Sequence, residues 1–278
     1  MIYIDLYKKG VKRLEECGVK EAGLDARLLL ESVCNTDRTV LYAHPEREVS
    51  PEEEKQFEEY LSRREKREPL QYILGQQEFM GLNFHTRPDT LIPRQDTETL
   101  VEDAMKGLHD GMEILDICCG TGCILLSLLH YSNDCRGFGV DINEEAINLS
   151  KENAKALGLE NCSFFLVSDM FENVTGNYDL IVSNPPYIPR DIIDTLEPEV
   201  KDFEPRAALD GGVSGLDFYH ILAEGGKKHL KRGGIFYMEI GYDQGPSVKA
   251  LFEEEGYKNV EVLKDLAGLD RVVRAHFY

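Results

Sequence analysis

Long apolar runs are missing from this 278-residue chain, and so are the features of a targeting segment. Without about eighteen consecutive apolar residues, a typical membrane-spanning helix is excluded. The first residues, MIYIDLYKKGVKRLEECG, contain Asp5 and interleaved Lys and Arg, unlike a signal peptide's apolar core or an acid-free transit peptide. We therefore expect a cytoplasmic protein with no membrane association.

Basic residues are scarce, since 31 Lys and Arg stand against 51 Asp and Glu, for a net charge of −20. Proteins that grip duplex DNA or RNA usually carry a basic face. A local basic patch would be compatible with this balance, but direct nucleic-acid binding is not expected.

The cysteines lack the spacing of a disulfide framework, and their number, seven, is odd. They fit reduced thiols in a reducing compartment. Cys118, Cys119 and Cys123 cluster, but no nearby His or Cys at regular spacing completes a zinc site. No metal is expected.

The pattern of apolar residues predicts three parts. Residues 1–75 are expected to be helical, with a helix start at Ser50-Pro51, and residues 76–87 to form a β-hairpin linker. Residues 88–278 alternate strands with helices, which predicts an α/β, doubly wound, mixed sheet. Its strands are expected near residues 112–117, 137–141, 163–167, 179–182, 235–240, 259–264 and 271–276.

Ligands of such a sheet lie outside the carboxyl ends of its strands. The first chemistry-bearing stretch there is DICCGTG, residues 116–122, leading into a helix. Gly120 and Gly122 allow close backbone approach to a ligand, although a plain tight turn would look the same. The third glycine of a dinucleotide fingerprint is absent, which argues against a nicotinamide-dependent oxidoreductase.

Two acids end the next strands. Asp141 could accept hydrogen bonds from both ribose hydroxyls of a nucleoside, or simply partner the following helix. Asp169 could accept from an adenine amino group with Met170 against the ring, although ordinary core packing is the alternative for Met170.

The fourth stretch is Asn184-Pro185-Pro186-Tyr187. Pro185 restricts Asn184 to extended backbone, and Pro186 has no N–H and fixes its own φ. The Asn184 oxygen and the Pro185 carbonyl can therefore stand side by side as rigid acceptors, with the Tyr187 ring beside them. Two acceptors and a flat face suit an NH₂ group on a planar system, either a base amine or a carboxamide.

Together these stretches resemble the class I S-adenosylmethionine-dependent methyltransferases with a small helical N-terminal domain. The chain is further identified as similar to the HemK/PrmC family of release-factor glutamine N5-methyltransferases. Six segments carry that resemblance: EPLQYILG (68–75), LIPRQDTE (91–98), EPRAALDGG (204–212), GLDFY (215–219), EIG (239–241) and KDLAGLDR (264–271).

The resemblance implies the cofactor S-adenosyl-L-methionine and, as substrate, the Gly-Gly-Gln glutamine of peptide chain release factors. It implies a cofactor site formed by Asp116, Cys118, Cys119, Gly120, Thr121, Gly122, Asp141, Asp169, Met170 and Asn184. The substrate site would be Asn184, Pro185, Pro186, Tyr187 and Arg94, with Asn184, Pro185 and Tyr187 catalytic. Residues 1–75 would recognise the release factor, residues 88–278 would form the methyltransferase domain, and the chain is expected to be a monomer.

Two residues depart from the family pattern: Cys118 stands where the family usually has glycine, and Gln95 where it usually has proline. Two other functions remain open. A methyltransferase for exocyclic amines of DNA or RNA bases would share the Asn-Pro-Pro-Tyr stretch, and a non-catalytic module would bind the cofactor alone.

Overall fold

The computed structural model describes residues 1–278, which divide into two compact units. The first comprises residues 1–76 together with residues 197–203, and the second comprises residues 77–196 and 204–278. The chain therefore enters the first unit twice. None of its helices is long and apolar enough to span a membrane.

The first unit is helical, as predicted. Its helices are α1 (Tyr3–Glu16), α2 (Ala22–Cys34), α3 (Arg38–Ala43), α4 (Pro51–Glu65), α5 (Leu70–Leu74) and the short α9 (Pro198–Lys201). Helix α4 begins as its sequence predicts: the Ser50 side chain accepts from the Glu53 N–H, and Glu53 accepts from the Ser50 N–H. Leu6, Leu14, Leu29, Phe57 and Leu61 are fully or almost fully buried in its core.

A buried ion-pair cluster joins residues 197–203 to the rest of this unit. Arg64 donates to Asp25 at 2.7 Å and to Glu199 at 2.8 Å, and Arg67 donates to both oxygens of Glu199. Burial alone would raise the pKa of Glu199, but hydrogen bonds from Arg67 and Arg64 lower it to about 2. Breaking such a pair leaves an unpaired buried charge, which costs about 3–5 kcal/mol.

The second unit is built on a seven-stranded sheet. Its strands are β3 (Glu113–Ile117), β4 (Arg136–Asp141), β5 (Ser163–Val167), β6 (Tyr178–Ser183), β7 (Leu230–Glu239), β8 (Lys258–Lys264) and β9 (Asp270–His276). They lie in the order β5-β4-β3-β6-β7-β9-β8, where only β9 runs antiparallel to its neighbours. This confirms the predicted mixed, doubly wound sheet.

Helices α6 (Gln95–Lys106), α7 (Cys123–His130), α8 (Glu144–Ala156), α10 (Asp217–His229) and α11 (Gly245–Glu254) cover the sheet. Helix α8 is capped by Asn143, whose side chain accepts from the Glu145 N–H at 2.9 Å. Two apolar cores lie against the sheet, one containing Phe236 and Phe252 and the other Leu125 and Leu100.

Helix α6 was not predicted from the sequence, and β7 begins at Leu230, five residues before the predicted start at 235. The predicted hairpin forms, as β1 (Gln76–Phe79) and β2 (Leu82–His85). It is more than a connection, because Phe79 and Phe84 are buried in the core that contains Leu100. Residues 77–87 accordingly belong to the second unit.

Candidate active site

The candidate site lies at the point where the strand order of the sheet reverses. Strand β3 has β4 on one side and β6 on the other, so the loops that follow β3 and β6 diverge and leave a crevice between them. Ile117, at the end of β3, pairs with Ser183, at the end of β6. The loop of residues 118–122 and the segment of residues 184–187 therefore start side by side.

The loop that follows β3 is held mainly through backbone groups. Gly120 and Gly122 have φ of +54° and +78°, a left-handed backbone that favours glycine. A Cβ on Gly120 would meet nothing within 4 Å, so the loop is open beside it. Helix α8 supports the loop from behind, because Ser150 donates to the Gly120 carbonyl at 2.8 Å and Asn153 to the Thr121 carbonyl at 3.0 Å.

Asp141 ties this loop to the next strand. Its two carboxylate oxygens each accept one backbone N–H at 2.9 Å, from Gly120 and from Asn143. Asp141 therefore does partner the following helix, α8, which was one of the two roles that the sequence allowed. Each oxygen keeps a further lone pair, so two ribose hydroxyls could still be accepted. Burial raises the pKa of Asp141 in spite of the two backbone hydrogen bonds.

Asp116 is a fully buried carboxyl group whose oxygens make no well-formed hydrogen bond, and only the backbone N–H of Leu125 lies close enough to lower its pKa. Burial raises its pKa well above the ordinary value. A buried charge of this kind is costly unless it is paired. A carboxyl group next to an open glycine loop would suit a ligand that brings a hydrogen-bond donor, such as the ammonium group of S-adenosylmethionine.

Cys118, Met170 and Asp169 were predicted to lie along the cofactor. Two of them meet: the Sγ of Cys118 lies 3.7 Å from the Sδ of Met170. Cys118 has a φ of +62°, which explains why glycine is usual at this position and shows that cysteine adopts the same backbone. Asp169 is exposed after β5, where its carboxylate remains accessible to a ligand.

In the Asn-Pro-Pro-Tyr segment, neither of the two predicted acceptors is used by the protein itself. The Asn184 side chain is half-buried and makes one hydrogen bond, in which its Nδ2 donates to Thr97 Oγ1 at 3.3 Å. Its Oδ1 therefore stays available. The Pro185 carbonyl accepts no backbone N–H from the surrounding chain, although Pro185 and Pro186 are buried.

Tyr187 is fixed at both its backbone and its hydroxyl. Its hydroxyl donates to Glu239 Oε1 at 3.0 Å, and its carbonyl accepts from Gln244 Nε2 at 2.9 Å. The segment of residues 204–217 packs on the same backbone so closely that a Cβ on Gly215 would lie 2.4 Å from the Tyr187 carbonyl oxygen. Burial raises the pKa of Tyr187, which keeps its hydroxyl protonated as a donor.

Arg94, predicted to bind substrate, is the N-cap residue of α6 and donates to the buried Glu204. The second oxygen of Glu204 has no partner. Gln95, which stands where the family usually has proline, is the first residue of α6. Proline is common at this position because an N–H there has no acceptor inside the helix, so its loss costs nothing. A glutamine there preserves the helix.

Sequence analysis gave no role to Thr97 or Glu239, which underlie the Asn-Pro-Pro-Tyr segment. Thr97 is buried and donates to Glu239 Oε2 at 2.5 Å. One signal for Glu239 was present, since it is an acid ending an apolar strand, like Asp116 and Asp141. Thr97 had no such signal, because its partner lies 142 residues further along the chain.

Comparison with solved structures identifies the fold. A methyltransferase from Pyrococcus furiosus superposes with a TM-score of 0.52 over 71% of this chain and 89% of its own, at 17% identity. A Thermus thermophilus 16S rRNA N2 G1207 methyltransferase, solved with AdoMet and guanosine, superposes with a TM-score of 0.53. The superposition covers 73% of this chain and 50% of that protein, at 19% identity. The chain has the class I methyltransferase fold.

Sequence comparison narrows the class to one family. The PrmC N-terminal domain matches residues 5–75, and the methyltransferase small domain matches residues 95–195. The release factor glutamine methyltransferase of Caulobacter vibrioides is 41% identical over 94% of this chain and 91% of its own. That of Clostridium botulinum is 38% identical over the full length of both. The chain belongs to the release factor glutamine methyltransferase family.

Proposed function

We propose that this chain transfers a methyl group from S-adenosylmethionine to the side-chain amide nitrogen of the Gly-Gly-Gln glutamine in peptide chain release factors. One observation carries the proposal: the Asn184 oxygen and the Pro185 carbonyl are unclaimed acceptors at the strand switch point, beside the loop that suits the cofactor. Family membership supports the same substrate, since the Caulobacter and Clostridium relatives carry that activity in their names.

The cofactor would be held by the residues already described. The loop of residues 116–122 would lie along its amino-acid part, Asp141 on its ribose, and Asp169 with Met170 on its adenine. When bound, S-adenosylmethionine supplies an electrophilic methyl group on a positively charged sulfur.

The chain's own contribution is to position and polarise the substrate amide. An amide nitrogen is a poor nucleophile because its lone pair is delocalised into the carbonyl. Asn184 Oδ1 and the Pro185 carbonyl would accept its two N–H groups, aim the lone pair and stabilise positive charge that develops on nitrogen. As the N–CH₃ bond forms, the S–CH₃ bond would break and release S-adenosylhomocysteine, and the methylated nitrogen, now acidic, would lose one proton to water. Rate enhancement would come from orientation and fixed dipoles, so no strongly basic side chain is needed before attack.

The test is mass spectrometry of a release factor after incubation with the purified protein and cofactor. We expect one added methyl group on the glutamine of the Gly-Gly-Gln peptide. A methyl group on another residue, or none, would overturn the proposal. Parallel reactions with DNA and RNA test the alternative of base methylation, which the net charge of −20 disfavours.

We further propose that the protein acts in the cytoplasm as a monomer. Within it, residues 1–75 would recognise the release factor. The match of residues 5–75 to the PrmC N-terminal domain supports a role of this region in the family's activity. Hydrogen exchange of the whole protein tests it: amides in residues 1–75 should be protected by intact release factor and not by a short Gly-Gly-Gln peptide. Equal exchange with both ligands would mean that this region only supports the fold.

A further inference from the structure

Thr97 lies between two polar side chains that determine what its hydroxyl can do. Its Oγ1 is 2.5 Å from Glu239 Oε2 and 3.3 Å from Asn184 Nδ2. A threonine hydroxyl has one proton to donate and lone pairs with which to accept. If that proton goes to Glu239, Thr97 can only accept from Asn184.

The surroundings of Glu239 supply hydrogen-bond donors and positive charge, which favour its ionised form. In that form Glu239 accepts the hydrogen bond that Thr97 donates. One oxygen accepts from Thr97 and the other from the Tyr187 hydroxyl, and the side chain is fully buried. Burial raises the pKa of Glu239, and the two hydroxyl donors and the charge of Arg271 offset that rise only in part. In the structure both of its oxygens accept from a hydroxyl, which is the hydrogen-bond pattern of a carboxylate, and a carboxylate is an acceptor only.

The polarity of the Thr97 hydroxyl then determines the orientation of Asn184. The two ends of a carboxamide are almost equal in size, so shape alone does not distinguish the orientation shown from one rotated by half a turn. The rotated side chain would face Thr97 with an oxygen, and two acceptors would oppose each other. It would also present N–H groups to a substrate NH₂, which repels them.

We propose that Thr97 and Glu239 are positioning residues that hold the Asn184 carboxamide with its oxygen toward the substrate amide. This role rests on the proposed function. The relay joins three elements of the second unit, namely α6, the end of β7 and the segment after β6. Linked hydrogen bonds of this kind strengthen one another in a buried setting.

Thr97→Val removes the hydroxyl and keeps the side-chain shape. We expect turnover to fall by about tenfold, equivalent to about 1.4 kcal/mol, with little change in affinity for S-adenosylmethionine. Thr97→Ser restores the hydroxyl and should return turnover to within about twofold of the original, because only the methyl group is lost. Thr90→Val is the matched control, since Thr90 is a buried threonine whose hydroxyl donates to the Arg87 carbonyl.

The decisive experiment repeats Thr97→Val in the Asn184→Ala background. If Thr97 acts only through Asn184, the second change should lower turnover no further, because the two effects are coupled. A further tenfold loss, or unchanged turnover in Thr97→Val alone, would overturn the proposal. A failure of the wild-type protein to methylate release factor is a separate result, which would overturn the proposed function.

A readout independent of activity is the side-chain NH₂ signal of Asn184 in ¹⁵N-labelled protein, assigned by its loss in Asn184→Ala. We expect Thr97→Val to shift this signal and to speed its hydrogen exchange, and Thr90→Val to leave it unchanged. An Asn184 signal unaffected by Thr97→Val would contradict the relay even if no substrate were turned over.

Discussion

On the cofactor side of the site, residues 116–122 are held by left-handed backbone and by hydrogen bonds to their carbonyl and N–H groups. On the amide side, Asn184 and Tyr187 are held by Thr97 and Glu239, through side chains that come from distant parts of the sequence. A backbone scaffold tolerates many side-chain changes, as long as the dihedral angles are kept. A side-chain network is more sensitive, because removing one polar atom leaves its hydrogen-bond partner without a contact. Substitutions on the two sides should therefore differ in size and in the step they affect.

The largest effect is expected on the amide side. Asn184→Ala removes one of two fixed acceptors, so turnover should fall by about 10²–10³, the usual cost of losing one preorganised polar contact at a reacting centre. Affinity for the cofactor should change little, which calorimetry can check. Asn177→Ala is a suitable control, because Asn177 is exposed and bonds only to the Lys228 carbonyl. If Asn184→Ala kept full activity, the substrate amide could not be bound by this segment.

A smaller effect, on binding rather than turnover, is expected for Asp141→Ala. The change removes a carboxylate that supports Gly120 and is available to two ribose hydroxyls. Affinity for S-adenosylmethionine should weaken by about 1.5–3 kcal/mol, typical of hydrogen bonds to a charged group. Calorimetry measures this, with the exposed Asp110→Ala as control. Unchanged affinity would place the ribose elsewhere.

The pH dependence of stability gives a third comparison. Burial raises the pKa of Asp116, so the folded protein binds that proton more tightly than the unfolded chain. The contribution of Asp116 to stability is then present below its ordinary pKa and is lost as pH rises through the raised one. Asp116→Asn should remove this loss, so that the melting temperature of the cofactor-free protein declines less between acidic and neutral pH. An identical profile would contradict an ionisable Asp116.

Glu199 should show the opposite sign in the same measurement. Its pKa is lowered to about 2 by Arg67 and Arg64, so its stabilisation is present above the ordinary pKa and is lost as pH falls through the lowered one. Glu199→Gln should therefore destabilise the first unit at neutral pH and flatten the acid side of its profile.

The smallest effect is expected for Cys118→Gly on the cofactor side. The left-handed backbone at Cys118 costs a residue with a Cβ about 1 kcal/mol or slightly more, and glycine avoids that cost. We expect a stabilisation of at most about 1 kcal/mol, because glycine also gains freedom in the unfolded chain. Thermal unfolding measures it. A lower melting temperature would mean that the contact with Met170 outweighs the backbone strain.

The contrast between the two sides also explains how much the sequence could predict. Glycines at 120 and 122 and acids at or next to the ends of β3 and β4 are local signals, and the structure brings them together at one sheet edge. Asn184 followed by two prolines is local too. Thr97 is different, because its role depends on Glu239 across 142 residues, and no short pattern contains both.

Helix α6 was missed for a related reason. Its first turn lies in LIPRQDTE, which served only as a marker of the family, although Leu100, Val101 and Ala104 supply a buried apolar stripe. Its first residues each serve a separate partner: Asp96 pairs with Arg271, Thr97 with Glu239, and Glu98 accepts from the Met80 N–H. Contacts with partners so far away in the sequence produce no repeating pattern from which a helix start could be predicted.

Residues 197–203 have a consequence for anyone exchanging parts between members of this family. A recombinant that receives its helical unit from a relative through residue 76 alone would still carry the recipient's Glu199. That carboxylate would then face foreign residues in place of Arg64 and Arg67. Functional chimeras should therefore need two crossover segments, inherited together, and single-junction chimeras should survive only where the relative offers a matching pair of arginines.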